Sequence, residues 1–159
     1  MQPKKPSRPG PFVAEVLEAV FDSGHAGCIF NFQVARRSAR LKPSVPSPWG
    51  IPLDDLPDLI ASKMVALVDR GAPRDFRDIH AVCTAGLATA EGCWSLWTQR
   101  LQATGVRPDP TRARLAVETH LSLIEQQRPL ASITDADRRV AAQTLRSWFR
   151  QEFLGALPD

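Results

Sequence analysis

With 159 residues, 43% hydrophobic and 23% charged, the chain carries enough apolar side chain to bury a core as one domain or as a small domain with tails. No apolar run is long enough to span a bilayer, and the basic start, Met1 to Gly10, lacks the apolar stretch of a secretion signal. The net charge of +3 permits a nucleotide or nucleic-acid partner without requiring one, and Cys28, Cys83 and Cys93 are too few and odd in number for a disulfide framework, which favours a reducing cytoplasm.

Residues 1–10 read as a flexible tail. Phe12 to Phe21 is rich in helix formers and is expected to be helical, closing near Ser23 and Gly24. From Cys28 to Val34 the chain alternates, with Phe30, Phe32 and Val34 on one face and Ile29, Asn31 and Gln33 on the other, which is the period of a strand. Lys42 to Pro52 carries Pro43, Pro46, Pro48 and Pro52, too much proline for a helix or a central strand. An extended connection packed by Trp49 is expected there.

The remainder is expected to be helical. Leu56, Leu59, Ile60, Met64, Leu67 and Val68 share one face of a first helix, and Lys63 falls inside that apolar arc. Asp55, Asp58, Ser62 and Asp69 fall on the opposite, wet face. Gly71 and Pro73 supply a break, glycine suiting a helix C-terminus and proline the first turn of the next helix. On that next helix Phe76, Ile79, Val82 and Cys83 form the apolar stripe, Asp75 lies within it, Asp78 sits on its edge, and Arg74 and Arg77 point away. Further helices are expected from about Thr89 to Ala103, with Trp94, Trp97 and Leu101 on one face, from about Pro110 to Gln127, and from about Asp135 to Leu154. The last has Val140, Leu145, Trp148, Phe149 and Phe153 at core spacing and Thr134 as its N-cap. The expected class is α+β, mainly α: one or two strands followed by a bundle of four to five helices.

A lysine and an aspartate on the greasy sides of consecutive helices are the sharpest chemical signal. Burying an unpaired ammonium or carboxylate costs several kcal/mol, so Lys63 and Asp75 are expected to pair or to line a polar site at the joint. A structural salt bridge with Asp75 and Asp78 is the plain alternative. Asp135-Ala-Asp137 spells a carboxylate pair, but at a helix start acidic residues suit the positive end of the dipole, and capping is the preferred reading over a metal site. His25 with Cys28 and His80 with Cys83 could in principle hold zinc, though buried cysteines explain them more simply. Arg36, Arg37, Arg40, Lys42, Arg138 and Arg139 are expected to be solvated, and Trp94, Trp97 and Trp148 to be core.

The order Ala61-Ser62-Lys63-Met64-Val65-Ala66-Leu67, then Arg70-Gly71, then Arg74-Asp75-Phe76-Arg77-Asp78-Ile79, placed after a strand and a proline-rich connection, resembles the second half of the AbiEii/AbiGii-type nucleotidyltransferase toxins. The resemblance covers roughly residues 25 to 85. It implies a polymerase-β-like nucleotidyltransferase fold, of which residues 11–85 would be a partial domain holding a remnant of the catalytic sheet, with residues 86–159 as a helical C-terminal region. It implies Lys63, Asp75 and Asp78 as catalytic residues, and Lys63, Arg70 and Arg74 as contacts to a nucleoside triphosphate used with Mg2+. Implied partners are a cognate antitoxin and an RNA target, with self-association through an exposed apolar face as a further expectation.

The family's front element, a Gly-Gly or Gly-Ser turn followed by an Asp-x-Asp pair that holds magnesium, has no counterpart before residue 25. Glu15, Glu18 and Asp22 have the spacing of an exposed helix face, and Asn31 stands where a further carboxylate is usual. The chain therefore reads as the family with its front missing, as a fragment, a truncated product or a degenerate descendant. The competing reading is a non-catalytic helical module that works through protein contacts.

Overall fold

A computed structural model describes residues 14–19, 30–35 and 39–157 of the chain. The chain divides into two compact units, residues 1–39 and 40–159. In the first unit β1 (Ala14–Ala19) and β2 (Phe30–Ala35) pair antiparallel, from Ala14 opposite Ala35 to Ala19 opposite Phe30. The helix expected across Phe12–Phe21 is thus corrected to a strand over its described part. Ala, Glu and Leu are only a weak local bias toward helix, and cross-strand hydrogen bonding overrides it. The expected tail at 1–10, the His25–Cys28 pair, Arg36 and Arg37 lie outside the described residues.

The second unit opens with a loop closed by one antiparallel bridge. Val45 N donates to Leu53 O at 2.7 Å and Leu53 N to Val45 O at 2.8 Å. Pro46, Pro48 and Pro52 have no amide to extend that ladder. The turn between is held by Gly50 N donating to Ser47 O at 3.1 Å. Trp49 stands on its tip, 79% exposed, so it does not pack the connection as expected.

Five helices follow: α1 (Leu56–Asp69), α2 (Pro73–Thr84), α3 (Ala90–Ala103), α4 (Pro110–Gln127) and α5 (Ala136–Trp148). Proline opens α1, α2 and α4, where a missing amide costs no helical hydrogen bond. Asp55, Thr89, Asp109 and Asp135 cap α1, α3, α4 and α5 by accepting the amides of Asp58, Gly92, Arg112 and Arg138. Asp135, not Thr134, is therefore the cap of α5.

One core runs through the helices on both sides of residue 85: Ile60, Met64 and Leu67 from α1, Phe76 and Ile79 from α2, Trp94 and Trp97 from α3, Val117 and Leu121 from α4. Past Trp148 the chain widens into a π-helical turn, Phe149–Phe153, closed by Leu154 N donating to Phe149 O at 3.0 Å. That turn seats Phe149 with its ring centroid 4.7 Å from Phe76, and Phe153 at 5.0 Å from Trp94. The Trp94 indole N–H donates to Phe153 O at 2.9 Å, so its polar edge is satisfied inside the core. Leu56, Leu59 and Val140, assigned to apolar faces from their spacing, are exposed instead. Leu56 and Leu59 lie in the first turn of α1 and Val140 just past that of α5, where helix period alone does not guarantee a covering neighbour. The described residues are mainly helical, and none of their helices is long and apolar enough to cross a membrane.

Candidate functional site

The joint between α1 and α2 is built by its backbone first. Arg70, the C-cap of α1, donates its amide to Ala66 O at 3.0 Å, and Gly71 N reaches the same carbonyl at 3.1 Å. Gly71 adopts φ 53°, a left-handed conformation that glycine tolerates and that ends the helix. A Cβ there would lie 2.2 Å from Cγ of His120, whose ring Nε2 lies 3.2 Å from Val68 O. Ala72 and Pro73 then start α2, and Asp75 N donates to Ala72 O at 2.8 Å. This places the Asp75 carboxylate in the first turn of α2, beside the positive helix end.

Four charged side chains meet there. Asp75 has no exposed side-chain surface, and Arg70 grips it with two donors: Nε at 3.0 Å from Oδ2 and Nη2 at 3.2 Å from Oδ1. That hydrogen bond lifts the Arg70 pKa further, against the opposing effect of its partial burial. Lys63 Nζ lies 2.6 Å from Asp78 Oδ2 and 3.9 Å from Asp75 Oδ1. The side chains of Lys63 and Asp78 are 43% and 44% exposed. Lys63, Asp75, Asp78 and Arg70, all singled out from the sequence, thus converge. Lys63 sits at the edge of the core and not inside the apolar arc. Arg74 and Arg77 are exposed, as expected, and form no ion pair among the described residues.

A second charged pair involves one acid read onto the wrong face and a cation that the sequence reading passed over. Asp58, assigned to the wet face, is buried, and Arg100 Nη1 stands 3.0 Å from its Oδ1. Arg100 Nη2 also donates to Ser62 Oγ at 2.8 Å, and Ser62 Oγ donates to Asp58 O at 2.8 Å. The amides of Leu41 and Lys42 donate to the two Asp58 oxygens, each at 2.9 Å. Burial alone would push the Asp58 carboxyl up, but the two amides and the Arg100 guanidinium together hold it below the usual carboxylate range. A signal did exist: Arg100 continues the spacing of Trp94 and Trp97, so an inward cation needed an acid.

The other singled-out groups resolve simply. Asp135 caps α5 through the Arg138 amide. His80 rests edge-on against Trp148 with ring centroids 5.1 Å apart. Cys83 and Cys93 are free thiols whose sulfurs lie 3.7 Å apart. Trp94 and Trp97 are core, and Trp148 is half-buried against Phe149. Among the described residues no three His, Cys, Asp or Glu side chains gather as a metal cage.

The family described as Nucleotidyl transferase AbiEii toxin, Type IV TA system, matches residues 33–159. The chain belongs to that family. The match of this AbiEii-family chain runs beyond the α1–α2 joint through α3, α4 and α5. No curated protein and no solved structure matches it. Nucleotidyl transfer uses a nucleoside triphosphate and commonly a divalent cation. The acids at the joint do not fit a magnesium cradle, because both Asp75 oxygens face Arg70 and the near oxygen of Asp78 faces Lys63.

Proposed function

We propose that this AbiEii-family chain acts as a nucleotidyltransferase-type toxin in which Lys63 meets the phosphates of a nucleoside triphosphate. The observation that carries this reading is a half-exposed ammonium held at the α1–α2 joint by one open and one enclosed carboxylate. In nucleotidyl transfer an acceptor hydroxyl oxygen bonds to the α-phosphorus, the bond from that phosphorus to the α–β bridging oxygen breaks, the hydroxyl proton passes to solvent water, and pyrophosphate leaves. Negative charge grows on the departing group, and a placed cation stabilises it. Lys63 supplies that cation, Asp78 orients it until phosphate takes its place, Asp75 stands behind it in the grip of Arg70, and Arg74 reaches the phosphates from the first turn of α2. Catalytic standing for Lys63, Asp75 and Asp78 rests on this division of labour.

The acceptor in this reading is RNA, supported by Arg74 and Arg77, which are exposed beside the joint and form no ion pair among the described residues. The β1–β2 pair is assigned to the nucleotidyltransferase sheet, and residues 86–159 to a helical region that buttresses α1 and α2. An antitoxin is the expected partner on the family description. The exposed apolar side chains Trp49, Ile51 and Leu53 offer it, or a second copy, a surface. Free thiols at Cys83 and Cys93 suit a cytoplasmic setting.

The test compares wild type with Lys63→Ala by titration with a fluorescent ATP analogue and by thermal melting. Binding is expected to be lost while stability changes by no more than about 1 kcal/mol, the scale of a solvent-open ion pair. Unchanged binding, or a collapse of the melting temperature, refutes the assignment and leaves a structural salt bridge.

A further inference from the structure

The two cations at the joint are not equivalent. Arg70 spends two donors, Nε and Nη2, on the enclosed carboxylate of Asp75, at 3.0 and 3.2 Å. Lys63 stands 3.9 Å from the same carboxylate, outside hydrogen-bond reach, and gives its short contact of 2.6 Å to Asp78. The two acids differ as well. Asp75 has no solvent to turn to, so losing its cation would strand a buried charge, whereas Asp78 is open and water can replace a departing ammonium.

From this, and resting on the reading of Lys63 as the phosphate cation, we propose that Arg70 is a positioning residue: it neutralises Asp75 so that Lys63 is free to exchange Asp78 for phosphate. Arg70 itself does not touch the nucleotide. With Arg70 removed, Lys63 becomes the nearest cation to a buried carboxylate and is drawn onto it. Phosphate must then compete with an enclosed partner and not with a solvated one. The backbone suits such a role, because Arg70 ends α1 while Asp75 lies in the first turn of α2, and the Gly71 turn fixes the distance between them.

The full chain is examined as wild type, Arg70→Ala, Asp75→Asn and the double variant, with Arg70→Gln as the neutral alternative should Arg70→Ala fail to fold. Lys63 acetylation by acetic anhydride, read by peptide mass spectrometry, needs no nucleotide. It is expected to fall several-fold in Arg70→Ala and to recover in the double variant, where no buried carboxylate draws the lysine away from Asp78. Affinity for a fluorescent ATP analogue is expected to weaken about tenfold in Arg70→Ala but not to fall further when Arg70→Ala is added to Asp75→Asn. An equal loss of affinity in both backgrounds would make Arg70 a direct phosphate contact and overturn the proposal. A lower melting temperature with unchanged Lys63 labelling and affinity overturns it too, leaving a structural role alone. Should wild type bind no ATP, the phosphate reading of Lys63 fails, while the labelling arm still decides whether Arg70 governs that lysine.

Discussion

Asp58 and Arg100 face each other at 3.0 Å, both almost without solvent, and the Leu41 and Lys42 amides donate one to each oxygen of the carboxylate. Asp58→Ala leaves the Arg100 guanidinium buried without its acid and frees the loop that enters α1. A loss of about 3–5 kcal/mol in urea unfolding is expected. The pH dependence follows from the lowered Asp58 pKa. Its contribution is complete above the ordinary carboxylate value of 3.8 and is lost as pH falls toward the lower folded value. Wild type should therefore lose stability below about pH 4 more steeply than Asp58→Ala. Parallel acid profiles for the two proteins would refute it. This pair and the Lys63 cluster mark what a sequence yields at residue scale. Lys63, Asp75 and Asp78 were legible because one turn joins the helices that carry them. Asp58 and Arg100 belong to α1 and α3: the spacing of Trp94, Trp97 and Arg100 points to an inward cation, but only packing tells which acid meets it.

Helix ends are where local rules compete, and α5 illustrates the competition. Thr134 and Asp135 both suit an N-cap, and the choice falls to the residue whose oxygen meets the Arg138 amide, at 2.8 Å from Asp135. Asp135→Ala should cost about 1 kcal/mol in thermal unfolding, whereas Thr134→Ala should be close to neutral. The reverse order would return the cap to Thr134. The spans of α3 and α4 were readable because local signals bracket both: Thr89 before and Gly105 after α3, Asp109 and Pro110 before and Pro129 after α4. The strand Ala14–Ala19 was not, since its composition favours helix and its partner lies in a separate stretch, Phe30–Ala35. The π-helical turn was equally invisible. Phe149 and Phe153 have ordinary helical spacing, and only the rings of Phe76 and Trp94 call for the wider turn.

Over the whole molecule, stability is coupled to the protonation of a core thiol. Cys93 is fully buried among the helices, and burial first, then the neighbouring Cys83, pushes its pKa from 9.0 up to about 12. Burial raises the Cys83 thiol as well. A raised folded-state pKa means that the unfolded chain gives up its proton first. The stabilising contribution is complete below pH 9 and erodes as pH climbs toward 12. Cys93→Ala removes this coupling at the cost of a smaller core side chain, so the variant should be the less stable protein at pH 7. The gap should then narrow by up to about 1 kcal/mol per pH unit above pH 9, as read by urea unfolding at each pH. Iodoacetamide supplies a second readout. Cys93 should be alkylated only through opening of the shared core, at a rate that rises with urea, and Cys83, which is half-buried beside the α2–α3 turn, should react sooner. A gap that stays constant from pH 7 to pH 11, together with Cys93 labelling as fast as Cys83, would mean that α2 and α3 part without unfolding the rest.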